Sequence, residues 1–135
     1  MEDVDATICT LLAADGRMSF TELGRRTGLS TSAVHQRVKR LEQRGAIKGY
    51  VAAIEPSEFG LNLTAFVSIR PIDASQPDDS PQRLAHIREI EACYSVAGEE
   101  SYILHVRVRE PKALEDLLAK IRKAANVSTR TTIVL

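Results

Sequence analysis

Residues 19–45, Ser-Phe-Thr-Glu-Leu-Gly-Arg-Arg-Thr-Gly-Leu-Ser-Thr-Ser-Ala-Val-His-Gln-Arg-Val-Lys-Arg-Leu-Glu-Gln-Arg-Gly, decide the fold of the first part of the chain. Ser19 and Glu22 have capping-box spacing, and Met18 and Leu23 stand where a hydrophobic staple forms. Gly28 ends this short helix after Thr27. A longer helix follows from near Thr31, with Ser30 as its N-cap, holding backbone N–H groups that the helix leaves unpaired. Val34, Val38 and Leu41 recur at i, i+4 and i+7 and face inward, and Gly45 supplies a left-handed stop. A short helix, a Gly-containing turn and a longer helix with a Ser-, His-, Gln-, Lys- and Arg-rich polar face fit a helix-turn-helix.

The chemistry of that motif assigns roles. The major groove admits one helix, and residues near its N-terminus reach base edges. Those are Thr31, Ser32, His35 and Gln36, with Ser30 at the cap beside them. Lys39, Arg40 and Arg44 lie further along and suit phosphates, as do Arg25 and Arg26. The alternative is an ordinary three-helix packing unit with a solvated basic face, and spacing alone does not separate the two. Charge does. The chain has net charge zero, yet window 17–48 holds eight basic residues against Glu22 and Glu42, a net of +6, whereas residues 51–135 hold ten bases and twelve acids. Positive charge gathered on one small region is the electrostatic footprint of phosphate binding.

Outward from this stretch, residues 4–14 show helical periodicity through Ile8, Leu11 and Leu12, with Gly16 as a stop. After Gly45 the period changes. Residues 47–54 read as a strand and 56–60 as a turn-rich connection. Residues 64–70 alternate, with Ala65, Val67 and Ile69 opposite Thr64, Phe66, Ser68 and Arg70. A polar loop over 73–79 precedes a helix opened by Ser80-Pro81, with Leu84, Ile87 and Ile90 on its apolar side. Residues 93–97 read as a strand, 98–101 as a turn, and 102–109 as a second alternating strand. Glu110-Pro111 opens a helix carrying Leu114, Leu117, Leu118 and Ile121, and 127–135 form a last strand. The expected fold is α+β: an N-terminal helix-turn-helix over 1–46, a hinge strand and linker over 47–61, and a ferredoxin-like βαββαβ domain over 62–135. Neither half can bury a large core alone, so self-association is the expected remedy.

Several function classes find no support. There is no Gly-rich phosphate loop, no G-x-S-x-G nucleophile elbow and no metal-ligand spacing, so the chain does not read as an enzyme and no cofactor is expected. His35 reads as a surface or base-contacting residue, and His86 and His105 as solvated. No apolar run approaches the roughly 18 residues of a membrane span. Met1-Glu2-Asp3 begins no apolar signal segment, so a cytoplasmic, nucleoid-associated protein is expected. Cys9 and Cys93 lie far apart among apolar residues and read as buried small hydrophobes, not a disulfide. Gly98-Glu99-Glu100-Ser101 reads first as a tight turn. Its other reading is a loop whose amides and carboxylates gather a small zwitterion.

Leu11 to Arg17, Glu22 to Ser30, Val34 to Glu42, Gly45 to Tyr50 and Cys93 to Gly98, in this order, resemble the Lrp/AsnC family of leucine-responsive, feast/famine regulators over nearly the whole chain. The resemblance implies a winged-type helix-turn-helix joined to a βαββαβ domain for amino-acid-linked transcriptional regulation. It implies double-stranded DNA as partner, homodimers formed through the sheet faces, and octamers built as tetramers of dimers. It further implies an amino-acid effector between dimers near Gly98, Glu99, Glu100, Ser101 and Tyr102, with Thr131 and Thr132 of the last strand approaching. Many members carry Asp where Ser101 stands. Here Glu99 and Glu100 remain to hold an ammonium group. Two rival readings stay open: an architectural DNA-binding protein with little sequence preference and no effector response, and a ligand-binding or enzyme-regulating module whose basic helices bind protein.

Overall fold

Helix α1 (Asp3–Ala14) places Asp3 and Asp5 in its first turn, where carboxylates meet the positive end of the helix dipole. Helix α2 (Phe20–Thr27) starts on Ser19, whose hydroxyl accepts the Glu22 N–H at 3.0 Å. The Glu22 carboxylate does not complete the box by reaching back; it turns to Arg25 and Arg26 instead. Two guanidinium donors outcompete one neutral amide. Gly28, at φ +76, ends α2 with its N–H on the Gly24 carbonyl. Helix α3 (Thr31–Gln43) is capped by Ser30, which accepts the Ala33 N–H at 3.1 Å, and the chain leaves it through Gly45 at φ +78. These helices belong to one of two units, Met1–Ala53 and Ile54–Leu135, in a computed structural model that describes residues 1–135.

The first unit closes over Ile8, Leu12, Leu23, Val34, Val38 and Leu41, with Leu11, Met18, Phe20, Leu29 and Ile47 packed partly against them. Each fully buried aliphatic side chain contributes about 1.5–3 kcal/mol, so a core this small leaves little in reserve. The strand expected over 47–54 does not form: Lys48 to Glu55 carry no ladder pairing. A strand exists only where a neighbour supplies matching donors and acceptors, and Gly49 at φ +152 also leaves the β region. No paired wing follows α3 within one chain.

The second unit opens with a 3-10 turn (Pro56–Phe59) and then runs β1 (Leu63–Pro71), α4 (Ser80–Leu84), β2 (Ile90–Ser95), β3 (Tyr102–Val108), α5 (Pro111–Ala125) and β4 (Val127–Ile133). The strands form one antiparallel sheet ordered β2-β3-β1-β4, the ferredoxin-like arrangement expected from the alternation. Register pairs Ala65 with Val106 and Val67 with Leu104, and all four are fully buried. On the same face pack Leu114, Leu117, Ile121 and Ala125 of α5. The opposite face carries Phe66, with His105 stacked on it at 5.1 Å, and Tyr94.

Three expectations shift here. Helix α4 stops at Leu84, so Ile87 and Ile90 are not its residues. Ile87 is buried in a turn and Ile90 opens β2. Spacing by three fits successive tight turns as well as a helix, and here Ile87 N–H meets the Leu84 carbonyl and Ile90 N–H the Ile87 carbonyl. Cys93 is exposed because β2 is an edge strand and α4 has only five residues to cover it. Cys9 is half-buried, and both thiols are free. His105, read as solvated, is half-buried against Phe66.

Candidate functional site

The exposed side of α3 carries Thr31, Ser32, His35, Gln36, Lys39 and Arg40, with Arg44 at its C-cap. Thr31, Ser32, Gln36, Lys39, Arg40 and Arg44 make no side-chain hydrogen bond or ion pair within the chain. The helix presents them because Val34, Val38 and Leu41 hold its other side in the core. Ser30 uses its oxygen as a cap acceptor, and its hydroxyl proton remains available to a phosphate. His35 sets its ring edge-on to Phe20, centroids 5.4 Å apart, which ties α3 to α2.

Three further basic residues of the +6 window have partners within the chain. Arg25 and Arg26 share Glu22, at 2.6 and 2.9 Å, so their charge is already partly answered. Those hydrogen bonds, Arg25 first, hold the Glu22 carboxyl down at about 2. Arg37 reaches the carboxylates of Glu2 at 2.7 Å and Asp5 at 3.2 Å, pinning α3 to the start of α1. It is a structural arginine on the same helix as the unpartnered polar side chains. Spacing could not reveal this, because the partners lie more than thirty positions away.

Gly24 is a further residue that the sequence reading passed over. A Cβ there would stand 2.6 Å from the Leu29 carbonyl oxygen, and the Gly24 carbonyl accepts the N–H groups of both Gly28 and Leu29. The tight turn between the two helices therefore needs glycine within α2 as well as at its end. Two glycines four residues apart, with the turn directly after the second, are the signal that could have found it.

In the second unit a cavity of about 400 Å³ opens beside the loop between β2 and β3, lined in part by Gly98, Glu100, Ser101 and Tyr102. The Val96 N–H donates to the Ser101 carbonyl and the Ser101 N–H to the Ile69 carbonyl. Between them, the amides of Ala97, Gly98, Glu99 and Glu100 donate to no group of the chain. Glu99 is exposed on the loop and does not line the cavity. Thr131 and Thr132 are not brought there within one chain. They pair with Val67 and Phe66 on β4, at the sheet edge opposite β2. The cavity gains instead Asp78, whose carboxylate accepts the Tyr102 O–H at 2.6 Å. That hydrogen bond, more than burial, raises the Tyr102 hydroxyl above its ordinary pKa.

The pattern of the AsnC-type helix-turn-helix domain matches residues 1–42, and that of the Lrp/AsnC ligand binding domain matches residues 64–135. The HTH-type transcriptional regulator LrpA of Mycobacterium tuberculosis is 58% identical over 135 residues, covering 100% of this chain and 90% of its own. The leucine-responsive regulatory protein of Escherichia coli is 34% identical over 140 residues, covering 100% of this chain and 85% of its own. Among solved structures, the feast or famine regulatory protein of M. tuberculosis complexed with L-methionine superposes with a TM-score of 0.96 at 59% identity, covering 99% of this chain and 91% of that one.

Proposed function

The chain belongs to the Lrp/AsnC family of DNA-binding transcriptional regulators, and from that premise we propose that it reads specific operators with α3 and answers to a small amino acid. The observation that carries the DNA reading is the set of polar side chains on α3 that have no partner in their own chain. Thr31, Ser32 and Gln36 sit in the first half of the helix, where major-groove readers make base contacts. Lys39, Arg40 and Arg44 follow as phosphate contacts, which makes binding strongly salt-dependent. Arg25 and Arg26 join them only by exchanging Glu22 for DNA.

The effector reading rests on the loop over 97–100. Its four amides without acceptors suit a carboxylate, and acidic side chains at the cavity suit an ammonium group. The relative solved with L-methionine supports the ligand class. Regulation of amino-acid-linked metabolism in the cytoplasm follows as the setting.

Two half-sites on one face of DNA need two copies of α3 about 34 Å apart or a multiple of that spacing, which a symmetric homodimer provides. The open sheet face, with Phe66 39% and Tyr94 55% exposed, is the apolar surface that suits such pairing. Octamers built as tetramers of dimers extend the same scheme.

The test is fluorescence anisotropy with DNA from upstream of the protein's own gene and with a scrambled duplex, at two salt concentrations, with and without pooled amino acids. Tighter binding to the native duplex, altered by amino acids, is expected. Equal, purely salt-driven binding to both duplexes would replace the regulator with an architectural protein.

A further inference from the structure

We propose that Asp78 is the carboxylate that holds the ammonium group of an amino-acid effector, with Tyr102 as its positioning residue; this rests on the effector reading above. An α-amino acid needs donors for one end and an anionic acceptor for the other. The amides of Ala97, Gly98 and Glu100, residues that line the cavity and whose N–H groups have no acceptor in the chain, supply the donors. Two carboxylates line the same cavity, Asp78 and Glu100. Only Asp78 is held in place, through Oδ1, by a tyrosine hydroxyl at 2.6 Å. Tyr102 is itself buried, 8% exposed, and is fixed in β3 opposite Ile69 and Ser95.

No cation of the chain pairs with Asp78. The nearby Arg83 takes Asp79 instead, at 2.9 Å. The second oxygen of Asp78 is therefore an uncompensated, pre-positioned acceptor, and a ligand binding there loses little to ordering the site.

The loop carrying Asp78 is also tied down. The Gln76 side chain donates to the Ala125 carbonyl at 3.1 Å and accepts from the Asn126 amide at 2.9 Å. Ala125 is the last residue of α5, and Asn126 caps the helix at φ +52. Gln76 thus answers a carbonyl that the helix end leaves open and fixes where the 73–79 loop runs. The residues make a consistent set: a clamped loop, a clamped carboxylate and unclaimed amides around one cavity.

Isothermal titration of the full chain with L-methionine, L-leucine and N-acetyl-L-methionine tests the assignment, because acetylation removes the positive charge and little else. Asp78→Asn keeps a carbonyl oxygen for the Tyr102 hydroxyl and removes only the charge. It is expected to weaken the free amino acid at least tenfold and to erase the preference over the acetylated form. Asp78→Glu recovers part of the affinity, and Glu100→Gln costs less than Asp78→Asn. If the wild type binds an amino acid and Asp78→Asn binds it within twofold, Asp78 is not the ammonium site although the effector reading stands. An Asp78→Asn variant that weakens both ligand forms in equal ratio likewise overturns the assignment, since that is what a structural role does. A wild type that binds none of the probes removes the effector reading and the proposal with it.

Discussion

The two units expose their polar groups in opposite ways. In Met1–Ala53 a core of six buried side chains fixes three helices, and polar side chains project from α3 with nothing to bind in their own chain. In Ile54–Leu135 a core of fourteen buried residues backs a sheet whose ladders consume most backbone groups. Four amides without acceptors lie in one loop there, beside the Asp78 carboxylate that Tyr102 holds. The first arrangement suits a long, regular partner met by many separate side chains. The second suits a small molecule enclosed by a few fixed groups.

The largest expected effect comes from the smaller core. Leu41→Ala should cost about 2–5 kcal/mol, and amide exchange should show protection lost across 1–53 while β1 and β3 stay protected. Loss of both together would show that the units do not fold independently. Gly24→Ala comes next, at about 1–3 kcal/mol, because its methyl group meets backbone that cannot move aside. Thermal unfolding measures the cost. A neutral result would mean that the α2–α3 turn yields more easily than its geometry implies.

The smallest effect is the most informative about charge. Glu22→Gln releases Arg25 and Arg26, so DNA binding should tighten and its salt dependence steepen by about one unit of slope. Its pH dependence has a definite sign. The folded Glu22 carboxyl sits at about 2, below its ordinary 4.5, so its stabilising contribution is full above that ordinary value. It is lost as pH falls toward about 2. The stability difference between wild type and Glu22→Gln should therefore stay flat above that ordinary value and shrink only on acidification, as measured by denaturation across pH.

Local signals in the sequence carried much of this architecture. Ser19 and Ser30 announce helices because a cap is a contact between residues three apart. The alternation in β1 and β3 announces a half-covered sheet because every second residue turns to the core. What stayed hidden depends on partners distant in sequence or on competition between nearby ones. Residues 47–54 have strand composition but no strand beside them. Leu84, Ile87 and Ile90 fit a helix until β3 claims Ile90 opposite Val106. Asp78 lies in the polar loop over 73–79, and Tyr102, which holds its carboxylate, stands 24 positions away. Thr131 and Thr132 follow the sheet order, which puts β4 at the edge away from β2.

The central claim is that the first half of α3 reads bases while its second half holds phosphate, and one comparison tests it most directly. Affinities of the wild type, Gln36→Ala and Arg40→Ala are measured for operator and scrambled duplexes at two salt concentrations. Gln36→Ala should lose about 1–3 kcal/mol on the operator and almost nothing on the scrambled duplex, whereas Arg40→Ala should weaken both alike and lower the salt slope by about one. If Gln36→Ala weakens both duplexes equally, Gln36 reads no base and the division of labour along α3 is wrong.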